Sequence, residues 1–242
     1  AKDIESIKDM TFAVESGSAG EAAAQAAGLN ATAVQSQADA LMEVAAGTSD
    51  ACVIDLLMAG AMIGEGTSYP DLTYDAEQKL TTEEYGIGCR KGSDLAAFIN
   101  NVLAETYADG SMKKVADTYK LADAMVEQAA PDANYTVPTD GDVAYIQSKG
   151  KLVVGITEFE PMDYKDASGN WIGFDADMAK LVAEKLGVDI EFTVINWDNK
   201  IMELDSKNID VVWNGMTLTE GVTAAMECTN AYCENAQVVI TK

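Results

Sequence analysis

A repeated alternation constrains this chain most. Short apolar runs at residues 11–14, 51–54, 152–156 and 190–194 are each followed by a stretch that reads as helix. Switching between a strand-like run and a 3.6-residue period is the grammar of an open α/β sheet. In the first unit, Ser18-Ala-Gly-Glu21 has the Ser-x-x-Glu spacing of a capping box and opens an Ala-rich helix that stops at Gly28. Residues 38–46 read as a second helix stopped by Gly47, and 56–63 as a third. A strand at 85–89 precedes two amphipathic helices, one presenting Leu95, Ile99, Val102 and Leu103, the other Met112, Val115, Ala116 and Tyr119. Later come a hairpin turn at 165–170, a helix carrying Met178, Leu181, Val182 and Leu186 that ends at Gly187, and a short helix at 201–204. Strands at 209–213 and 238–240 follow.

Residues 129–142 break the pattern: they lack periodicity and hold two of the four prolines, the signature of a linker. No apolar run approaches the roughly 18 residues of a membrane span, so the chain reads as soluble. No signal-peptide pattern is present, and a leader is expected to have been removed or to lie outside this sequence. Charge narrows the function classes. With 40 acidic against 16 basic residues and a net charge of −24, the surface repels phosphate backbones and anionic lipid, which argues against a nucleic-acid partner. There is no histidine and Arg90 is the sole arginine, so an enzyme would lack the commonest general base. Neither a cofactor nor a metal is expected. The Asp166 to Asn170 turn lacks the distal Glu and Gly order of a calcium loop. Cys52, Cys89, Cys228 and Cys233 show no zinc-type pairing, and Cys228 with Cys233 are near enough in sequence to bridge across a turn.

From Lys151 onward the order and spacing of several motifs resemble the amino-acid-binding proteins of ABC importers. These are Gly150-Lys-Leu-Val-Val-Gly155, Phe159-Glu-Pro161-Met, Asp166-Ala-Ser-Gly-Asn-Trp-Ile-Gly-Phe-Asp175 and Asn208-Ile-Asp-Val-Val-Trp-Asn-Gly-Met-Thr-Leu-Thr-Glu220. The continuation of that family lies at the front. Asp3 to Gly20 resembles its strand and glycine turn, Asp50-Ala-Cys-Val-Ile-Asp55 its second-lobe aspartate strand, and Tyr85-Gly-Ile-Gly-Cys-Arg-Lys91 its closing strand. The resemblance therefore implies an α/β, two-lobed periplasmic-binding-protein-like (type II) fold in circularly permuted order. Residues 1–83 would form the second lobe, 84–128 the hinge strand and closing helices of the first, 129–142 a linker and 143–242 the first-lobe core. One chain crossing between lobes falls at residues 82–86. The other is expected to be opened, with Thr241-Lys242 and Ala1-Lys2 close together at the hinge, in a monomer or a domain-swapped dimer.

The function so implied is an extracytoplasmic protein, periplasmic or lipid-anchored, that captures an amino acid or close analogue between closing lobes and delivers it to ABC permease subunits. A cyclohexadienyl-dehydratase-like enzyme and a receptor sensor domain are the alternatives. Asp55, at the carboxyl end of a strand, is by resemblance the ammonium partner, which is the favoured reading over a cap on the helix that follows. Ser18, Ala19 and Thr217 stand where helix starts offer N–H groups to a carboxylate. By resemblance Phe159 stacks over the ligand and Trp197 lines the pocket wall, with core packing the alternative for each; Asn214, Gly215 and Met216 would border the cleft, and the acid Glu158 would suit a polar or cationic ligand. Trp213 serves either recognition or core. One departure matters: the family pattern expects Thr-x-x-Arg after Thr219, and this chain has Val222. Arg90 aligns outside the pocket.

Overall fold

The computed structural model describes residues 4–242. The chain begins with three β–α units: β1 (Thr11–Glu15), α1 (Ala19–Ala26), β2 (Asn30–Val34), α2 (Gln37–Ala46), β3 (Ala51–Asp55) and α3 (Leu56–Met62). The long β4 (Thr73–Cys89) leads to α4 (Leu95–Asp109) and α5 (Ser111–Thr118). After an irregular stretch come α6 (Gly141–Lys149), β5 (Lys151–Ile156), the small hairpin β6 (Tyr164–Lys165) and β7 (Trp171–Ile172), α7 (Phe174–Leu186) and β8 (Asp189–Val194). The remainder is α8 (Lys200–Asp205), β9 (Val211–Thr217), α9 (Glu220–Ala225), β10 (Glu227–Cys228) and β11 (Cys233–Thr241). Among the described residues no helix is long and apolar enough to cross a membrane.

The strands form one sheet in the order β2-β1-β3-β11-β4-β9-β5-β8, with β10 also on β4. Each flank is parallel: β2, β1 and β3 on one side, β9, β5 and β8 on the other. Between these two wings run β4 and β11, antiparallel to each other and to the strands that flank them. Parallel pairing on the flanks follows from the helical crossovers that return the chain in the same direction. Two adjacent strands therefore span from wing to wing, which corrects the expectation of a single crossing. β11 starts opposite Tyr85 of β4 and ends with Gln237–Thr241 paired to β3. The last strand is thus shared with the wing built from the front of the chain rather than confined to the 143–242 unit, because the otherwise open edge of β3 takes its hydrogen bonds. The expected neighbours of the other end, Ala1 and Lys2, and Asp3 of the Asp3 to Gly20 segment, lie outside the described residues.

The core lies between the sheet and its helices. Trp213, Tyr85, Tyr232, Phe159 and Phe174 are fully buried, with Phe174 stacked on Tyr232 at 5.8 Å. Each contributes on the order of 2–3 kcal/mol by burial. Trp213 is core. Cys228 and Cys233, near enough in sequence to bridge, do not, and all four thiols are free. Cys228 pairs opposite Gly88 and Cys233 opposite Tyr85 on the same strand, about 10 Å apart at strand rise and beyond disulfide reach. A buried ionic cluster closes the far end of β9. Asp210 is wholly buried and accepts from Arg90 Nη2 at 3.2 Å, Lys149 Nζ at 2.6 Å and Val153 N at 2.9 Å. Arg90 also meets Asp142 at 2.9 Å and the carbonyl of Ile209 at 2.8 Å, so its guanidinium is spent on structure.

Candidate functional site

Where the two wings face each other, a cleft of about 330 Å³ is lined by β1, α1 and β3 on one side and by Trp197, Lys200, residues 214–217, Thr219 and Val222 on the other. The first wall follows from local sequence. β1 ends at Glu15 and the chain turns through Gly17 into α1, whose N-cap Ser18 accepts from Glu21 N at 3.0 Å. Glu21 reaches back to Gly17 N at 2.7 Å, one residue before the cap, because Ser18 N already donates to Glu15 O. The N–H groups of Ala19 and Gly20 open the helix and have no intrahelical acceptor.

Asp55 ends β3 beside Glu15 at the end of β1, since the two strands are parallel neighbours. Its carboxylate does not cap α3. It accepts from Tyr85 Oη and, at 2.7 Å, from Gln237 Nε2, while Leu57 N is met by Asn235 Oδ1 at 3.3 Å. Only neutral groups, Tyr85, Gln237 and Gln37, therefore hold Asp55, with no cation beside it. Burial, then the charge of Glu83, pushes its carboxyl up to about 7. Glu15 is pushed up to about 8 by burial first and Asp55 second, with Lys200 opposing and Asp39 adding to the rise. Glu15 Oε1 is buried with no hydrogen-bond partner.

The second wall is set by α8 and the end of β9. Trp197 opens a short turn before α8, and Lys200 Nζ lies 4.7 Å from its ring centre. Asn214 spends its side chain on Thr157, accepting from the main-chain N at 3.0 Å and donating to Oγ1 at 2.7 Å. Gly215, at φ +53°, donates its N–H to Asp175 at 2.6 Å, and an added Cβ would stand 2.6 Å from the Phe159 ring. Met216 and Thr217 complete this wall, and Thr217 Oγ1 donates to Glu83 Oε1 at 2.8 Å.

Eight of the ten residues singled out in the sequence therefore come together on one cleft: Ser18, Ala19, Asp55, Trp197, Asn214, Gly215, Met216 and Thr217. Two do not. Phe159 packs edge-on to Tyr85 behind Gly215, filling the space a side chain would take, and Glu158 points to solvent between the buried Thr157 and Phe159. The helix start expected at Thr217 is also corrected. Thr217 is still paired with Tyr85, Leu218 N is bound to Glu84 O, and Thr219 caps α9 instead. Sequence reading missed Glu15, Gln37 and Lys200. Only Glu15 carried a legible signal, an acid at the carboxyl end of a strand as at Asp55.

The two raised carboxyls predict a pH dependence. Burial, helped by Asp55 and Asp39 at Glu15 and by Glu83 at Asp55 and opposed by Lys200 at Glu15, makes each keep its proton in the folded chain above the pH where the unfolded chain loses it. Stability contributed by this protonation is complete below about pH 4 and falls by up to roughly 1.4 kcal/mol per pH unit per group. The fall ends as pH passes about 7 for Asp55 and about 8 for Glu15. Melting temperature of the ligand-free protein should drop between pH 5 and 8, and Glu15→Gln should flatten part of that slope. A slope identical in the variant excludes Glu15 as a source.

Residues 152–242 match the bacterial extracellular solute-binding proteins, family 3. Those residues run from β5 to the chain end and include the Trp197 wall; the wall bearing Ser18 and Asp55 lies outside the match. The arginine-binding extracellular protein ArtP of Bacillus subtilis (strain 168) is 32% identical over 95 residues, covering 39% of this chain and 37% of its own length. The L-cystine-binding protein TcyA of the same organism is 36% identical over 107 residues, covering 43% and 39%. A solved mutant of ArgBP from T. maritima is 39% identical over 34% of this chain and 37% of that one, at a TM-score of 0.33. The chain thus spans well under half the length of each of these three relatives.

Proposed function

We propose that this protein captures an α-amino acid or close analogue between two closing lobes, as the extracytoplasmic receptor of an ABC importer whose permease subunits it serves. The observation that carries the reading is the buried Asp55, held by neutral donors at a strand end and facing the open N–H groups of α1 within one cleft. An ammonium is the partner such a carboxylate lacks, and helix N–H groups suit a carboxylate. The cleft volume sits at the low end for small-molecule sites, which favours a ligand of amino-acid size. In this reading the lobes are the two parallel wings, β4 and β11 are the hinge, and the front of the chain supplies the lobe that the matched segment lacks, in permuted order. Calorimetric titration with the standard L-amino acids and L-cystine tests it. At least one should bind with micromolar or tighter affinity and raise the melting temperature; none binding below millimolar concentration rejects the reading.

Closure also makes a prediction at the rim. Gly17, at φ +71°, lies against Asp198 of the other wall so closely that an added Cβ would stand 2.6 Å from Oδ1 and 3.0 Å from Cα. Gly17→Ala should hold the walls apart and weaken ligand binding about tenfold or more, with unfolding free energy changed by only about 1 kcal/mol. Undiminished affinity in Gly17→Ala contradicts closure at this contact.

A further inference from the structure

Among the described residues Lys200 is the one cation lining the cleft, set over the Trp197 ring with no carboxylate paired to it. The residue is 7% exposed, and among the described residues no ion pair includes it. Its Nζ donates instead to two main-chain oxygens, Gly17 O across the cleft and Trp197 O on its own wall, each at 3.2 Å. An ammonium has three N–H groups, so one remains. A buried ammonium without a carboxylate costs stability, and burial pulls the Lys200 amine below its usual range against the opposing charges of Glu15 and Asp198. Such an arrangement persists where the charge has work to do on something else.

The same cleft holds two groups that bear on what that work is. Val222 lines it, an apolar side chain where the family resemblance expects a guanidinium. Glu15 Oε1 is buried and unpartnered on the opposite wall, next to Asp55. The cleft therefore offers one spare donor charge on one side and two adjacent carboxyls on the other. A zwitterionic head group matches both.

We propose that Lys200 is the carboxylate clamp of this site, its ammonium taking the ligand carboxylate that Val222 cannot hold, while Asp55 and Glu15 share the ligand ammonium. The inference rests on the amino-acid reading above and narrows it to ligands with a free α-carboxylate. An amine lacking that group would bring a second positive charge into the cleft beside an unpaired Lys200. A carboxylate lacking the ammonium would leave Glu15 and Asp55 facing each other. Lys200 is thus a specificity-determining residue that separates amino acids from the amines formed by their decarboxylation.

The test is a calorimetric comparison of wild type, Lys200→Met and Lys200→Arg. Each standard L-amino acid is titrated beside its decarboxylated amine, such as L-arginine with agmatine, L-histidine with histamine and L-leucine with isoamylamine. Wild type should prefer the bound amino acid to its amine by about 100-fold. Lys200→Met should lose about 100-fold on the amino acid with the amine weakened less than threefold, and Lys200→Arg should restore most of the loss. Melting of the ligand-free Met variant should match wild type or exceed it; if that variant does not fold, Lys200→Gln is read in the same way. Equal losses on acid and amine, or a preference that survives without Lys200, overturns the clamp while leaving amino-acid capture standing. If wild type binds amines but no amino acid, or binds neither, both the clamp and the reading beneath it fall.

Discussion

Replacing Asp55 with asparagine is expected to weaken ligand binding by about 100- to 1,000-fold, roughly 3–4 kcal/mol, while the ligand-free protein still folds. The size follows from the environment of the carboxylate. Asp55 is buried at the cleft wall, and its oxygens are held by Tyr85 Oη and by Gln237 Nε2, which also donates to Glu83 at 2.7 Å. This scaffold orients the carboxyl and supplies no counter-charge, so an arriving ammonium both favours its ionisation and pairs with it in a low-dielectric site. Asparagine keeps the shape and one acceptor but removes the charge. The fold should tolerate the change because α3 takes its cap from Asn235 and because the folded protein at neutral pH already strains to ionise Asp55. Functional sites commonly carry such a cost to stability. Titration of Asp55→Asn with the ligand of the wild type decides the matter: affinity within threefold of wild type removes Asp55 from the ammonium role.

The second large effect is on stability and lies far from the cleft. Asp210→Ala should lower the unfolding free energy by about 3–5 kcal/mol, because it leaves a buried guanidinium without one of its carboxylates. Asp210 alone joins Arg90, Lys149 and the main chain of β5. Its removal strands Arg90 Nη2, and Lys149 loses its ion pair. A protein of this size has a total stability on the order of 5–15 kcal/mol, so the variant should unfold at a clearly lower urea concentration. Ligand affinity measured well below the unfolding midpoint should be unchanged, as no member of this cluster lines the cleft. A loss under 1 kcal/mol means Arg90 is adequately held by Asp142 and the carbonyls of Leu204 and Ile209.

These two aspartates differ in how they could be read from the chain. Asp55 ends an apolar run and precedes an apolar helix, so its position at a sheet's carboxyl edge was legible. Asp210 also borders an apolar run, but its role depends on Arg90 and Lys149, which lie 120 and 61 residues away. Strands divide the same way. β3 and β5 are continuous apolar runs buried on both faces, and such runs announce themselves. β2, Asn-Ala-Thr-Ala-Val, lies at the sheet edge with little burial, and the first half of β4, from Thr73 to Thr81, is mostly polar with no residue fully buried. Both are strands because a neighbour takes their hydrogen bonds, which no local pattern records. α6 was hidden behind two prolines, with only Val143 and Ile146 buried on its inner face.

The sequence alone determined the βα grammar, the Ser18 cap, the resemblance that placed Asp55, and the missing guanidinium at Val222, because each is encoded within a few neighbouring residues. Tertiary structure decided the rest. Whether β11 belonged to one wing or both depended on which strand edges were open. That Phe159 fills space behind Gly215 instead of lining the cleft, and that Thr219 rather than Thr217 caps α9, followed from the pairing of β9 with β4. Lys200 shows the division most plainly. In the chain it is one lysine among the basic residues of an acidic protein, most of them solvated. It becomes a buried ammonium without a carboxylate partner only when Gly17 closes over it from the opposite wall, since burial is a property of two surfaces meeting.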